Sequence, residues 1–329
     1  MRIPRVILPG LLALVVMGCQ TERAPGRPKI LRRPTAEDRA LAYLSREVPL
    51  WFRENKCFSC HNNGDAARAL YAASALGYRI PQGALADTTA WLQRPGQWDY
   101  NKGDPAFSDK RLARIQFTVA LASAVHSGQV TDKNALLSAA RKLVEEQHAD
   151  GSWHIDPVSA LGSPATYGTP LATAMAMMAL LKVPDHQVIE ARQKAERWLR
   201  QSSVENLPAA AAVLFALHGH EDAAAAAKRQ ACLDLIRRSQ THDGGWGPYV
   251  DSPPELFDTA VVLLALAGIR PERSIEALIQ RGRNYLLQTQ LADGSWPETT
   301  RPPRGESYAQ RLSTAGWATE ALLRTASVR

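Results

Sequence analysis

Cysteine is scarce in this chain, which has four cysteines among 329 residues: Cys19, Cys57, Cys60 and Cys232. So few cysteines do not build the bridged framework of small secreted domains. A four-cysteine zinc site needs a second close pair, and the sequence has none beyond Cys57 and Cys60. Ser–His–Asp, phosphate-loop and dinucleotide-binding patterns are also missing. The sequence therefore gives no support to hydrolase or nucleotide-binding functions.

Long apolar runs are missing too, because the N-terminal run from Val6 to Val16 is shorter than the roughly 20 residues that span a bilayer. Arg2 and Arg5 precede it, as in a secretory signal peptide. The run ends in Val16-Met17-Gly18-Cys19, which resembles a bacterial lipobox. That resemblance implies cleavage before Cys19 and lipidation of its thiol. An uncleaved N terminus and ordinary secretion remain the alternatives.

The sequence predicts three segments: a lipoprotein signal peptide over 1–18, a flexible tether over 19–34 and one folded domain over 35–329. Residues 20–34 hold five cationic and one acidic side chain with three prolines, a composition typical of a flexible tether near an anionic membrane. Gln20 follows the lipobox cysteine, which by the same resemblance favours the periplasmic face of an outer membrane. No basic helix face with interleaved aromatics occurs, so no nucleic-acid partner is expected.

Residues 57–61 read Cys57-Phe58-Ser59-Cys60-His61, the C-x-x-C-H pattern of covalent haem attachment. It predicts one haem c, with thioethers to Cys57 and Cys60 and with His61 as the proximal iron ligand. A dithiol or disulfide and half of a zinc site are the alternatives. For the distal position the candidates are His154 or Met175, and an open iron position is the further possibility. Cys232 lies in an Ala-rich stretch and is expected to be a buried, inert thiol.

Apolar residues recur at helical spacing through most of the remaining chain, with breaks rich in Gly, Pro and Asp. The pattern predicts twelve helices near 36–54, 64–77, 82–93, 108–126, 131–147, 168–182, 185–201, 206–218, 221–240, 254–268, 271–289 and 307–326. Three of the breaks share one pattern, in which Gly stands four and Trp six residues after Gln. They run from Gln147 to Trp153, from Gln240 to Trp246 and from Gln290 to Trp296.

A shortened copy of this loop spans Gln93 to Trp98, and Arg281-Gly282-x-x-Tyr285-Leu286 precedes the third full copy. Together these segments resemble the QW motif of the squalene–hopene cyclase and prenyltransferase repeat superfamily, over about residues 36–329. The resemblance implies an all-α fold, an (α/α)6 toroid of six helical hairpins. Helices rich in small residues are expected inside, and polar-rich helices outside.

Aligning the first hairpin with the third loop puts Cys60 at the position of Gly294 and Asn62 at that of Trp296. The C-x-x-C-H pattern thus replaces a QW loop, and we expect a haem at the toroid mouth or in its central cavity. The first functional hypothesis is a lipid-anchored c-type haem protein that transfers electrons to an unknown redox partner protein. A haem oxidoreductase acting on an apolar, terpenoid-like molecule in the cavity and a non-catalytic binding or scaffold toroid are the alternatives.

Cyclase chemistry is not expected to follow from the resemblance. Cyclases of this superfamily carry D-x-D-D-T-A, whose central Asp protonates the substrate. The matching residues here run from Glu255 to Ala260, and Phe257 stands in place of that acid. Asp258, the last acid of the pattern, is expected to cap its helix. An Asp–Cys–His zinc set of the prenyltransferase kind is also missing from the sequence.

Overall fold

The structure, a computed structural model, describes residues 33–101, 110–155, 161–270, 272–299, 301 and 307–327. The described chain folds into twelve α-helices and contains no β-strand, only an isolated bridge between Trp246 and Glu255. The helices are α1 (Ala36–Asn55), α2 (Ala67–Ala75), α3 (Ala86–Leu92), α4 (Lys110–His126), α5 (Asn134–Glu145), α6 (Thr169–Leu180), α7 (His186–Gln201), α8 (Leu207–Ala216), α9 (Ala223–Ser239), α10 (Leu256–Ala267), α11 (Arg273–Thr289) and α12 (Tyr308–Arg324).

The even-numbered helices form a closed inner ring. Each packs against the next, from α2 through α4, α6, α8 and α10 to α12, and α12 packs back on α2. The odd-numbered helices pack outside: α5, α7, α9 and α11 mainly against the inner helix before them, α1 against α12 and α3 against α4. This arrangement confirms the predicted (α/α)6 toroid, within a unit that spans Pro34–Arg329.

The sequence of each helix explains its place in the ring. In α8, nine of the ten residues are buried, and they are alanines with a few larger apolar side chains. A helix that is apolar all round is stable only when it is surrounded, which fits an inner position. In α11, by contrast, Ile275, Ile279 and Leu286 recur at helical spacing on one buried stripe, and polar residues fill the other face.

The three QW loops make the same contacts at successive corners of the toroid. In each loop the Gln side-chain amide donates to the carbonyl of the loop glycine and to a carbonyl of the next outer helix, at 2.8–3.1 Å. The pairs of acceptors are Gly151 and Ala191 for Gln147, Gly244 and Leu278 for Gln240, and Gly294 and Ala36 for Gln290. Because the last pair reaches back to α1, the third loop closes the ring.

The tryptophan of each loop is buried and donates its indole N–H to the outer helix just before it, at 2.8–2.9 Å. The acceptors are the carbonyls of Leu143, Ile236 and Leu286. The Gln and Trp residues of the QW loops therefore hold neighbouring helices together. A buried ion pair between Arg283 of α11 and Glu37 of α1, at 3.0 Å, adds to the closure.

The first inner segment begins earlier than the sequence predicted. A π-helical turn, Cys60–Ala66, precedes α2, so that helical structure starts at Cys60 rather than near residue 64. Ser59 caps this turn by accepting a hydrogen bond from the His61 N–H at 3.2 Å. Among the described residues, no helix is both long and apolar enough to cross a membrane.

The ring closure at Gly294 gives the first prediction. Gly294 has φ +92°, and a Cβ there would lie 2.2 Å from the Arg39 carbonyl oxygen. We expect Gly294→Ala to lower the free energy of unfolding by about 2 kcal/mol or more, because the chain must relieve both backbone strain and a clash. Urea unfolding measures this.

Gly83→Ala is the matched control, because a Cβ at Gly83 meets nothing within 4 Å and its φ is not positive. We expect a change of less than about 0.5 kcal/mol for this variant. Equal stability of the two variants would contradict the closing role of the third loop.

Candidate functional site: a central cavity

A cavity of about 830 Å³ opens among the C-terminal halves of the inner helices. All six inner helices contribute to its walls, and α7 adds Arg192 and Glu196 at the rim. The apolar lining is mostly alanine, leucine and methionine with one Phe and one Trp: Ala72, Leu76, Val119, Ala122, Met175, Met177, Met178, Ala179, Leu181, Leu214, Phe215, Ala216, Leu264, Ala265, Ala267 and Trp317. Cavities of about 300–1,000 Å³ with this character are typical small-molecule sites.

The depth of the cavity follows from the residues of α12 that line it. Trp317, Glu320 and Arg324 succeed one another up this helix, and at about 1.5 Å per residue they span about 10 Å. Leu76, Met178 and Leu181 lie at the ends of their helices, line the cavity and are 46%, 36% and 50% exposed. Exposed apolar side chains therefore lie at the mouth of the cavity, beside the charged residues of its rim.

Arg68 and Trp317 form the floor of the cavity. The Arg68 guanidinium lies over the Trp317 ring, 4.0 Å from its centroid, and Arg68 Nε is 2.8 Å from Glu320 Oε2. Arg68 is 3% exposed and Trp317 is 1% exposed. Among the described residues, Arg68 Nη1 and Nη2 and Trp317 Nε1 have no hydrogen-bond partner. The floor thus carries N–H donors for which the described part of the chain supplies no acceptor.

A buried polar cluster lies on the N-terminal side of Arg68. The Asp65 carboxylate accepts hydrogen bonds from Tyr167 Oη, from Ser313 Oγ at 2.7 Å and from Gln116 Nε2 at 2.8 Å. Burial raises the pKa of Asp65, while nearby Arg68 and these donors lower it. Sequence analysis missed Asp65, Arg68 and Tyr167. Two charged residues spaced one helical turn apart in an Ala-rich inner segment were the available signal.

The C-x-x-C-H residues lie between α1 and α2, as predicted, with Cys60 and His61 in the π-helical turn, and thus at the end of the ring where the QW loops are. Cys57 and Cys60 are partly buried thiols. His61 Nδ1 is hydrogen-bonded to Ser313 Oγ at 2.9 Å, and burial lowers the pKa of His61 to about 4.

The Phe58 ring stacks between Phe52 and Trp91. Asn62 occupies the position of a QW tryptophan and likewise donates to its outer helix, to the Glu47 carbonyl at 3.0 Å.

None of Cys57, Cys60 and His61 lines the central cavity. The expectation of a haem in this cavity is wrong, because the motif lies at the N-terminal ends of the inner helices and the cavity opens at their C-terminal ends. His61 instead hydrogen-bonds to Ser313, which also donates to Asp65. The motif and the cavity are therefore separated by the polar cluster.

The structure does not bring the two candidate distal ligands to His61. Met175 is 4% exposed and lines the cavity. His154 stacks on His148, with ring centroids 3.8 Å apart, and its Nε2 lies 3.2 Å from Asp150. Among the described residues no group of three or more His, Cys, Asp or Glu side chains is arranged to hold a metal ion. Cys232 is buried in α9, and burial raises the pKa of its thiol to about 11.

The sequence predicted that Asp258 caps α10. In the structure Asp258 instead forms a buried ion pair. Its two carboxylate oxygens accept from Arg301 Nη2 at 2.7 and 2.8 Å, and Glu255 accepts from Arg301 Nε at 3.0 Å. Burial, with a smaller contribution from Glu255, raises the pKa of Asp258 to about 7 despite Arg301. Asp258 does not line the cavity. It is therefore placed to bind Arg301 and not to protonate a molecule in the cavity.

Comparison with known proteins places this geometry in a broader setting. Residues 209–329 match the family described as squalene-hopene cyclase C-terminal domain. The type II terpene cyclase MstE from Scytonema, as a variant bound to its substrate geranylgeranyl dihydroxybenzoate, is 15% identical, with a TM-score of 0.61 over 89% of this chain and 97% of that chain. The fold is the helical toroid of the terpene cyclases.

Two further structures show how far the likeness extends. The apo form of MstE from Scytonema is 14% identical, with a TM-score of 0.59 over 89% of this chain and 98% of that chain. A glycosidase variant in complex with glucose is also 14% identical, with a TM-score of 0.53 over 88% of this chain and 98% of that chain. No curated protein matches the chain in sequence. Because a terpene cyclase and a glycosidase share this toroid, similarity to them shows the fold of the chain and not its reaction.

These findings overturn the first functional hypothesis. The interpretation as a c-type electron-transfer protein is wrong, because the fold and the C-terminal match are of the terpene-cyclase type and the described residues form no metal-ligand cluster. The expectation of a redox partner protein rested on this interpretation and is no longer supported. The haem oxidoreductase alternative loses its basis as well, because the motif does not line the cavity. Covalent attachment at Cys57 and Cys60, with His61 as ligand, stays a prediction on which no step of the function rests.

The ion pair of Arg301 with Asp258 gives a pH-dependent prediction. Arg301→Gln leaves a buried carboxyl without its cation, so the pKa of Asp258 rises further above its unfolded value. A raised carboxyl pKa costs stability as pH rises from about 4 through the folded value. We expect the variant to lose about 3–5 kcal/mol of unfolding free energy at pH 8 and clearly less at pH 5. Urea unfolding at both pH values measures the difference.

Arg270→Gln is the control, because Arg270 is almost fully exposed and lies 3.9 Å from the equally exposed Glu221. We expect it to change stability little at either pH. An Arg301→Gln penalty that does not change between pH 5 and pH 8 would contradict the assignment of a titrating Asp258.

Proposed function

We propose that the protein is a toroid that binds an apolar small molecule of isoprenoid size in its central cavity. The observation that carries this proposal is the lining: five of the six inner helices give alanine, leucine or methionine side chains to one cavity of about 830 Å³, and α12 gives Trp317. Small side chains on packed helices leave the space, and the larger ones set its shape. A molecule that buries its apolar surface there gains about 25 cal/mol per Å² removed from water.

The chemical class follows from the walls and from the fold. The apolar part of the cavity favours a hydrocarbon body over a sugar, since 16 of the 27 lining residues have apolar side chains. MstE, which shares the fold, binds a geranylgeranyl compound, and this supports an isoprenoid chain as the ligand class. The proposal concerns binding, and Asp258, held by Arg301 away from the cavity, contributes no acid to it.

Occupation of the cavity is tested with retinol, an isoprenoid alcohol whose fluorescence reports an apolar environment. We expect saturable binding by the wild-type protein. We expect Ala122→Phe to weaken it at least about tenfold, because Ala122 lines the cavity and is only partly buried, so a larger side chain fills the space without entering the packed core.

Ala226→Phe is the matched control, because Ala226 lies exposed on the outer helix α9. This variant is expected to bind retinol as the wild type does. Retinol that does not bind the wild-type protein, or that binds equally to both variants, would sink the proposal. Circular dichroism of each variant verifies that the toroid is folded.

We also propose that the protein is held at an extracytoplasmic membrane surface by lipid on Cys19. This residue lies outside the residues that the structure describes, and the support is the sequence from Val16 to Cys19 and the short apolar run before it. Several acyl chains at one residue give stable anchoring, where a single chain gives marginal binding.

Fractionation of a bacterial host that makes the full chain tests the anchor. We expect Cys19→Ala to move the protein out of the membrane fraction, since the variant has no thiol to lipidate. Cys232→Ala is the control, because that thiol is buried in α9, and we expect this variant to stay with the membrane. A Cys19→Ala protein that remains membrane-bound would contradict the assignment.

A further inference from the structure

The floor of the cavity carries a cluster of donors that the apolar walls do not explain. Arg68 Nη1, Arg68 Nη2 and Trp317 Nε1 are buried and have no acceptor among the described residues. Buried N–H groups without acceptors are uncommon, because each has lost its hydrogen bonds to water without gaining a replacement. The Arg68 guanidinium lies over the Trp317 ring, and both residues line the cavity.

The carboxyls near Arg68 do not satisfy these donors. Glu320 faces Arg68 Nε, at 2.8 Å, and its other oxygen lies 3.7 Å from Arg324 Nε. Asp65 is occupied by Tyr167, Ser313 and Gln116. Burial also raises the pKa of Asp65 and thereby favours its neutral form. Among the described residues, the two Nη groups of Arg68 therefore lack the acceptor that a bound carboxylate would supply.

The charged side chains that line the cavity are mostly positive. Four basic side chains line the cavity, namely Arg68, Lys182, Arg192 and Arg324, against two carboxylates, Glu196 and Glu320. Glu196 is itself engaged by Arg200 at 2.8 Å. A guanidinium binds a carboxylate with two parallel hydrogen bonds, which a hydroxyl cannot match. The lining thus favours an anion over a neutral head group.

We infer that the ligand is an apolar molecule with a carboxylate head, and that Arg68 with Trp317 Nε1 receives this carboxylate at the floor of the cavity. The apolar chain then extends about 10 Å toward the mouth, where Leu76, Met178 and Leu181 are exposed. The inference rests on the proposed function, since it names the ligand class of the same cavity.

The test compares retinoic acid with retinol, which share a carbon skeleton and differ in the head group. Binding of each is titrated by calorimetry at pH 8, where the acid is ionised. We expect the wild-type protein to bind retinoate at least about tenfold more tightly than retinol. In Arg68→Met we expect the affinity for retinoate to fall at least about tenfold and that for retinol to change less than about threefold.

Arg270→Met is the matched control, because it makes the same substitution at an exposed arginine that does not line the cavity. Both ligands should bind this variant as they bind the wild type. Trp317→Phe is the second variant, which keeps an aromatic ring at this position and removes the indole N–H together with the five-membered ring. We expect it to weaken retinoate binding more than retinol binding. It also keeps the inference testable if Arg68→Met does not fold.

The outcomes separate the inference from the proposed function. If neither ligand binds the wild-type protein, the binding toroid itself is refuted. If both bind with equal affinity, the cavity binds apolar molecules but the carboxylate site is overturned. If retinoate binds more tightly and Arg68→Met does not reduce the preference, the carboxylate does not bind at Arg68, and the inference is again overturned.

Discussion

The toroid depends on one contact that is repeated around the ring, a glutamine amide that links the carbonyl of its own loop to a carbonyl of the next outer helix. The loop glycine comes so near that helix that any Cβ would lie 2.2–2.5 Å from a backbone oxygen. The acceptors are backbone carbonyls, whose chemistry does not depend on the side chains of the next repeat. The repeats can therefore diverge in sequence while the corner between them stays the same.

The two ends of the inner ring differ in structure. At the loop end the inner helices are closed by buried tryptophans and by the Asp65 cluster. At the other end the described residues form no equivalent motif, and small side chains on the inner helices leave room for the cavity. Structure-determining residues therefore concentrate at one end, and residues that can face a ligand at the other.

The sequence predicts the fold well because its signals are local and repeated. Helical spacing and the loops from Gln147, Gln240 and Gln290 place all twelve helices, with ends shifted by a few residues. The start of the first inner segment differs because the π-helical turn at Cys60 arises from tertiary contacts, among them the Asn62 amide with the Glu47 carbonyl. The spacing of apolar residues along the sequence does not indicate such a contact.

The site is far less predictable from the sequence. C-x-x-C-H and Asp258 attract attention because they match known patterns, yet neither lines the cavity. Arg68 and Trp317 belong to helices far apart in the chain, α2 and α12, and meet only because the ring closes. No local pattern marks such a pair, and the donors at the floor become visible only once burial and hydrogen bonding are counted.

Stability alone does not explain why Arg68 and Glu320 are where they are. Taking two charges out of water costs several kcal/mol per ion, and replacing a buried pair by apolar residues of similar volume is often neutral or stabilising. An inner ring made of alanine and leucine offers that replacement at low cost in packing. The pair leaves Arg68 Nη1 and Nη2 without acceptors among the described residues, which adds a further penalty. A bound carboxylate would remove that penalty, and thus the cost of the charged floor is recovered only when the cavity is occupied.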